Sequence, residues 1–384
     1  MSLVDFFNAR PEPATPLGRY RVLSSSAGAR VSPLCLGGMS FGTTMAAAMG
    51  GVDEEQSFKI LDAYADAGGN FIDTANDYQG GQSETYTGNW MAARNNRDSV
   101  FIATKFTNNY RFDIGPDKRV NYSGNHKKSL FLSLDASLLK LQTGYIDLLY
   151  VHWWDWTTSI EELMDSLHLL IQQGKVLYLG VSDTPAWVVS AANTYARDHG
   201  KTPFSVYQGR WNVMIRDFER DIIPMAHHFG MAIVPWDALG GGKLQTEKQI
   251  KAPKMANEGL RPMWGPGQTE VEKKTSKTLE EVSEQVGATS IQQVALAYLI
   301  HKARNVFPLI GGRKVEHLHE NIKGLEIQLT DKHIQIIEAV QPFDIGFPVS
   351  MVGENPRDTG ITPLLLRPVT PFSWQVLGRT IVKG

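Results

Sequence analysis

The sequence predicts a (β/α)8 TIM barrel with an N-terminal hairpin, a long loop after the seventh strand and a C-terminal extension. Three observations predict it. From residue 31 onward, short apolar, β-branched runs alternate with longer amphipathic stretches, which is how strands and helices of a parallel sheet are written. Eight such pairs can be counted, where an open doubly wound sheet would more often have fewer. The glycines after the first run, Gly37-Gly38-Met39-Ser40-Phe41-Gly42, lack the G-x-G-x-x-G spacing of a Rossmann turn.

In order, the strand candidates are Ser32–Gly37, Phe71–Thr74, Val100–Lys105, Asp147–His152, Tyr178–Ser182, Ser205–Gln208, Ala232–Trp236 and Val306–Ile310. The helices read at Glu54–Ala67, Ser83–Arg94, Lys127–Leu141, Ile160–Gln173, Ala186–His199, Phe218–Phe229, Leu279–Lys302 and Val315–Lys323. Five of them run into a glycine that can take the left-handed cap conformation: Gly68, Gly174, Gly200, Gly230 and Gly324. Residues 19–30, with Tyr20–Leu23 and a Ser/Gly turn, read as a hairpin that plugs the barrel bottom. Residues 240–278 are too long for an ordinary βα connection and are a candidate functional lid. The tail after Gln341 either drapes over the barrel mouth or forms an ordered appendage. One domain over 1–384 is expected, with its core at about 19–341 and an extension at 342–384.

Composition narrows the partners. With 42% hydrophobic and 20% charged residues, the 384-residue chain can bury a substantial core. A formal charge of −2 gives no electrostatic reason to expect nucleic acid or an anionic membrane, and His126-Lys127-Lys128 reads as a solvated helix start. No stretch approaches the roughly 18 apolar residues of a membrane span, and the N-terminus lacks a signal-peptide pattern. One cysteine, Cys35, excludes an intrachain disulfide and fits a reducing, cytoplasmic compartment. The helical histidines lack a ligand pattern, so no metal is expected, and Met39, Met45 and Met49 read as pocket lining or core.

Barrel enzymes place chemistry at the C-terminal ends of their strands. The second strand runs into Asp73 and Tyr78, the third ends at Lys105 and the fourth at His152. A carboxylate, a phenol, an ammonium and an imidazole therefore converge on one rim. Hydride transfer to a carbonyl builds negative charge on oxygen that a proton must meet. A free tyrosine, with a pKa of about 10, is a sluggish donor at neutral pH. A neighbouring Lys105 would lower that pKa, Asp73 would hold the lysine charged, and His152 would orient the carbonyl. Trp153, Trp154 and Trp156 follow His152 directly and would suit a flat aromatic substrate, as would Met39.

This Asp-x4-Tyr…Lys…His pattern resembles the aldo-keto reductase tetrad, and the likeness extends from about Tyr20 to about Gln341. Ser83-Glu84 with Gly88 resembles the family's Ser-Glu-x3-Gly helix start, and Gly180-Val181-Ser182-Asp183 its Gly-Val-Ser-Asn. The resemblance implies that Ser182, Asp183 and Gln208 hold a nicotinamide carboxamide, with Asp183 departing from the usual asparagine. It implies an aromatic ring at the nicotinamide in Trp236, and backbone amides for the pyrophosphate along Asp237, Leu239, Gly240, Gly242 and Lys243. The run Gly311, Arg313, Lys314, His317, Glu320 and Asn321 resembles the adenosine phosphate and adenine site. Cations at a helix N-terminus there favour NADP(H).

Within the family, the tryptophan run and long tail look most like the fungal aryl-alcohol dehydrogenase and norsolorinic acid reductase branch. The expected reaction is NADPH-dependent interconversion of aromatic aldehydes and benzylic alcohols. Two alternatives stay open: reduction of a larger aromatic ketone in secondary metabolism, and a cofactor-binding regulatory subunit resembling potassium-channel β subunits. The expected partner is a small aromatic carbonyl or alcohol, and the oligomeric state is left open.

Overall fold

The computed structural model describes residue 8, residues 11–251, residue 265 and residues 267–376. Eight parallel strands form the sheet: β3 (Cys35–Gly37), β4 (Phe71–Asp73), β5 (Phe101–Phe106), β6 (Ile146–Val151), β7 (Val176–Ser182), β8 (Val206–Arg210), β9 (Ala232–Trp236) and β10 (Leu309–Ile310). They are ordered β10-β3-β4-β5-β6-β7-β8-β9, and a parallel bridge from Ile233 to Val306 brings the two ends together. The sheet is thus a nearly closed (β/α)8 barrel. Two antiparallel strands, β1 (Arg21–Ser24) and β2 (Ala27–Val31), precede it.

The expected plug is visible in the packing. Leu23, Ala27 and Val31 of the hairpin share one buried cluster with Phe71, Phe101 and Phe307, which lie at or just before the starts of β4, β5 and β10. Edge-to-face contacts of Phe71 with Phe101 (5.4 Å) and Phe307 (6.5 Å) tighten that floor. The opposite, C-terminal end is left for side chains that need not pack. A larger apolar layer lies between the strands and the helices.

The longer helices are α1 (Glu54–Asp66), α2 (Gln82–Arg94), α3 (Lys127–Leu141), α4 (Ile160–Gln172), α5 (Ala186–Asp198), α6 (Ile222–Phe229), α7 (Glu270–Val286), α8 (Ile291–Lys302), α9 (Val315–Lys323) and α10 (Asp331–Glu338). Side-chain caps start several of them, Asp53 accepting from the Gln56 amide and Ser159 from the Glu162 amide. Three expectations are corrected. The single helix Leu279–Lys302 is two, because Gly287 turns left-handed (φ 70°) and ends α7. The helix expected from Phe218 begins at Ile222, after a 3-10 turn over Asp217–Glu219, which places Pro224 in the first turn where its missing N–H costs nothing. Gly324 stays in the right-handed region (φ −59°) and continues into a 3-10 turn.

Two long segments shrink. The connection after β9 carries a short helix at Glu247–Lys251, and α7 already begins at Glu270 inside the expected lid. Much of what remains, 252–264 and 266, lies outside the described residues. The tail is tied to the side of the barrel: Arg220 donates to the Asp344 and Ile345 carbonyls, and Arg304 pairs with Asp358 at 2.8 Å. Among the described residues, no helix is long and apolar enough to cross a membrane.

Candidate active site

A cavity of about 1170 Å³ opens at the C-terminal end of the strands. Its floor is built by the ends of β4, β5 and β6, whose parallel register aligns Asp73 with Ala103 and Lys105 with Tyr150. The Lys105 side chain is fully buried, ion-paired with Asp73 Oδ1, and donates to the Thr74 carbonyl at 2.8 Å. Gln208 Nε2 donates to the other Asp73 oxygen at 2.9 Å. Both carboxylate oxygens are therefore spoken for.

The phenol of Tyr78 stands over this pair, with the Lys105 ammonium 4.9 Å from its ring centre. The His152 ring meets Tyr78 edge-on at 5.9 Å, and both line the cavity. Although burial opposes it, the charge on Lys105 is strengthened by Asp73 and Tyr78, which raise its pKa. Burial and the Lys105 charge hold His152 well below the usual imidazole value, so the ring is neutral at physiological pH. The expected lowering of Tyr78 is not the net result. Burial dominates and, with help from Asp73 and Asp77, pushes the phenol up to about 12 against the downward pull of Lys105. The site thus holds a protonated phenol beside a neutral imidazole, with a permanent cation behind.

The motif residues of α2 serve as a buttress. Ser83 donates to the Gly38 carbonyl and shares a hydrogen bond with Thr74, while Glu84 accepts from Thr104 and pairs with Lys140. A Cβ on Gly88 would come within 2.3 Å of the Lys140 carbonyl oxygen, so only glycine lets α2 sit this close to α3.

Farther along the wall lie Ser182, Asp183, Gln208 and Trp236. Asp183 takes the indole N–H of Trp236 on both oxygens, at 3.1 and 3.2 Å, and the Ser182 hydroxyl at 3.2 Å. The departure to aspartate therefore supplies an acceptor that pins Trp236. Burial pushes this carboxyl up to about 6. Asp237, Leu239 and Gly242 also line the cavity, but Gly240 and Lys243 do not; they face a smaller neighbouring cavity of about 270 Å³. Lys243 Nζ instead donates to the carbonyls of Gly265 (3.2 Å) and Gly267. The amides of Gly240, Gly242 and Lys243 close local turns.

At the far end, Gly311, Arg313, Lys314, His317, Glu320 and Asn321 all line the same cavity, the first four before or in the first turn of α9 and the last two one turn further along it. Thr289 and Ser290, at the start of α8, join them without having been expected, and the buried Ser290 Oγ has no hydrogen-bond partner among the described residues. Two cations, a helix N-terminus and a hydroxyl with spare capacity make a donor set that fits a phosphate. Separated from the strand-end cluster by one continuous cavity, this set fits a dinucleotide.

Of the expected substrate residues, Met39 lines the cavity and is joined by Met49 and Val52. Trp153 and Trp154 do not. Trp154 is buried in the layer between strands and helices, and Trp156 is exposed, packing on Trp154 and Trp187. Sequence reading also missed Asp77 and Asn108, polar residues on the cavity wall. Asp77 adjoins Tyr78 in sequence, a signal that was available; Asn108 is placed only by the path of the loop after β5. No group of three or more His, Cys, Asp or Glu side chains suited to a metal occurs among the described residues.

Fold and site define a β/α-barrel enzyme with a phenol–imidazole pair at one end of a long cavity and the cationic side chains of Arg313 and Lys314 at the other. Residues 33–342 match the aldo/keto reductase family, and the chain belongs to it, as an oxidoreductase. It is 57% identical over 376 residues to a putative aryl-alcohol dehydrogenase of Saccharomyces cerevisiae, covering 97% of this chain and 99% of that one. It is 50% identical over 374 residues to norsolorinic acid reductase of Aspergillus flavus, covering 97% and 94%. An NADP(+)-dependent aryl-alcohol dehydrogenase of Phanerodontia chrysosporium is 51% identical over 353 residues, covering 90% and 91%.

Proposed function

We propose that this enzyme reduces aromatic aldehydes to benzylic alcohols with NADPH, and runs in reverse, with Tyr78 as general acid and base. The observation that carries the reading is the phenol of Tyr78 edge-on to the His152 ring, over the buried Lys105–Asp73 pair. When bound, the cofactor supplies a hydride to the carbonyl carbon. The protein supplies the rest: His152 donates a hydrogen bond to the carbonyl oxygen, and Tyr78 gives that oxygen its proton as charge develops. The tyrosinate left behind is stabilised by Lys105, whose charge Asp73 maintains; the same contacts favour proton uptake from an alcohol in the reverse direction.

Ser182, Asp183, Gln208 and Trp236 would hold the nicotinamide end, and Asp237, Leu239 and Gly242 the pyrophosphate. Arg313, Lys314 and His317 would hold the 2′-phosphate, with Glu320 and Asn321 at the adenine. The choice of NADPH rests on those cations and on the relative whose name includes NADP(+). The aromatic substrate class rests on the relatives' names and on the apolar lining from Met39, Met49 and Val52, not on the tryptophans.

The test is loss of NADPH absorbance with purified protein, offered substituted benzaldehydes, aliphatic aldehydes and a bulky aromatic ketone. Preferential turnover of benzaldehydes supports the reading. Preference for the bulky ketone replaces the substrate class, and tight NADPH binding without turnover of any carbonyl points to a regulatory role.

A further inference from the structure

Asn108 stands between three groups. Its Oδ1 lies 2.7 Å from the indole Nε1 of Trp153, and its Nδ2 lies 3.0 Å from Asp77 Oδ2 and 3.3 Å from His152 Nδ1. The two ends of an amide side chain look alike, so their assignment has to come from the hydrogen-bonding logic. An indole nitrogen only donates, so the amide atom facing Trp153 is the oxygen. An ionised carboxylate only accepts, so the atom facing Asp77 is the NH2. Both neighbours give the same orientation independently.

The consequence falls on His152. Its Nδ1 faces an NH2 donor and must present a lone pair. Asp77 Oδ1, 4.0 Å away, is beyond hydrogen-bond reach and does not claim that nitrogen. A neutral imidazole that accepts at Nδ1 carries its proton on Nε2. The ring's root is held as well, because the His152 amide donates to the Phe106 carbonyl at 3.1 Å and lies 3.3 Å from the Thr107 hydroxyl. With Nδ1 turned to Asn108, Nε2–H is the ring atom left for the cavity.

We propose that Asn108, locked in one amide orientation by Trp153, is a positioning residue that fixes His152 as its Nε2–H tautomer, and so makes it a hydrogen-bond donor to the substrate carbonyl oxygen. The opposite tautomer would set a nitrogen lone pair against that oxygen and would compete for the proton of Tyr78. No proton leaves the imidazole in this role. It also gives Trp153, which is adjacent to His152 in sequence yet outside the cavity, a task at one remove from the substrate. The inference rests on the carbonyl-reducing reading above, but its structural content can be read without turnover.

The experiment is long-range ¹H–¹⁵N correlation on the intact protein labelled with ¹⁵N-histidine, with the His152 signals identified by their loss in His152→Gln. Wild type is expected to show the Nε2–H pattern. Asn108→Asp replaces the donor at Nδ1 with an acceptor and is expected to move His152 toward Nδ1–H, lowering kcat for benzaldehyde reduction roughly 10- to 100-fold while NADPH affinity changes less than about 2-fold. Trp153→Phe keeps an aromatic ring, smaller than the indole, but removes the donor, and is expected to give mixed tautomers with a smaller loss of kcat. This variant serves if Asn108→Asp does not fold. An Nδ1–H pattern in wild type, or an unchanged Nε2–H pattern in the folded variants, would overturn the proposal. Absence of carbonyl turnover in wild type would instead sink the functional reading, with the tautomer still decided by the spectrum.

Discussion

The two ends of the cavity are built in contrasting ways. At the strand end, charge is met by protein: Asp73 is held by Lys105 and Gln208, and Lys105 also by the Thr74 carbonyl. At the α9 end, Arg313 and Lys314 line the wall half-buried, beside a Ser290 hydroxyl that has no hydrogen-bond partner among the described residues. Groups at the first end are arranged in advance, as chemistry requires, because reorientation during proton transfer would add to the barrier. Groups at the second line the open cavity, where on the proposed reading a phosphate would meet them. Substitutions at the two ends should therefore fail differently.

Breaking the strand end should have the largest effect. Lys105→Met leaves Asp73 buried without its ion-pair partner, so stability should fall by about 3 kcal/mol and turnover by on the order of 10²–10⁴-fold. Denaturant unfolding and NADPH-linked kinetics would check both. At the other end, Arg313→Ala should leave folding intact and weaken NADPH by roughly 10- to 100-fold, the worth of a charge-assisted phosphate contact. NADH, lacking the 2′-phosphate, should change little; equal losses measured by fluorescence titration would move that phosphate elsewhere.

The smallest effect sharpens the comparison through pH. Burial pushes Asp77 up to about 6, whereas the unfolded chain returns it to an ordinary carboxylate. The folded state then binds more protons than the unfolded one between about pH 4 and 6, so this group makes stability fall as pH rises through that window. Asp77→Asn removes the penalty. It should stabilise the protein by about 1–2 kcal/mol at pH 7.5, a gain that grows from pH 4 to 6 and levels off above. A gain that shrinks with pH would mean the carboxylate is stabilised in the fold.

Much of this was legible in the sequence, for a physical reason. In a parallel barrel every strand end reaches one rim, so Asp73, Lys105 and His152 could be brought together by counting strands. Helix borders followed caps such as Asp53 and Ser159, but the break at Gly287 was hidden because the apolar pattern runs on through it. The tryptophans misled because adjacency to His152 does not set direction: the chain turns after β6, sending Trp154 into the core and Trp153 toward Asn108. Asn108 itself carries no motif, and the net rise of the Tyr78 pKa depends on burial that spacing does not reveal.

Tyr78→Phe tests the central claim most directly, in a single-turnover measurement of benzaldehyde reduction paired with a titration of NADPH binding. The account predicts a loss of on the order of 10²–10⁴-fold in the reduction step, with NADPH affinity nearly unchanged. Reduction at the wild-type rate by the variant would contradict it.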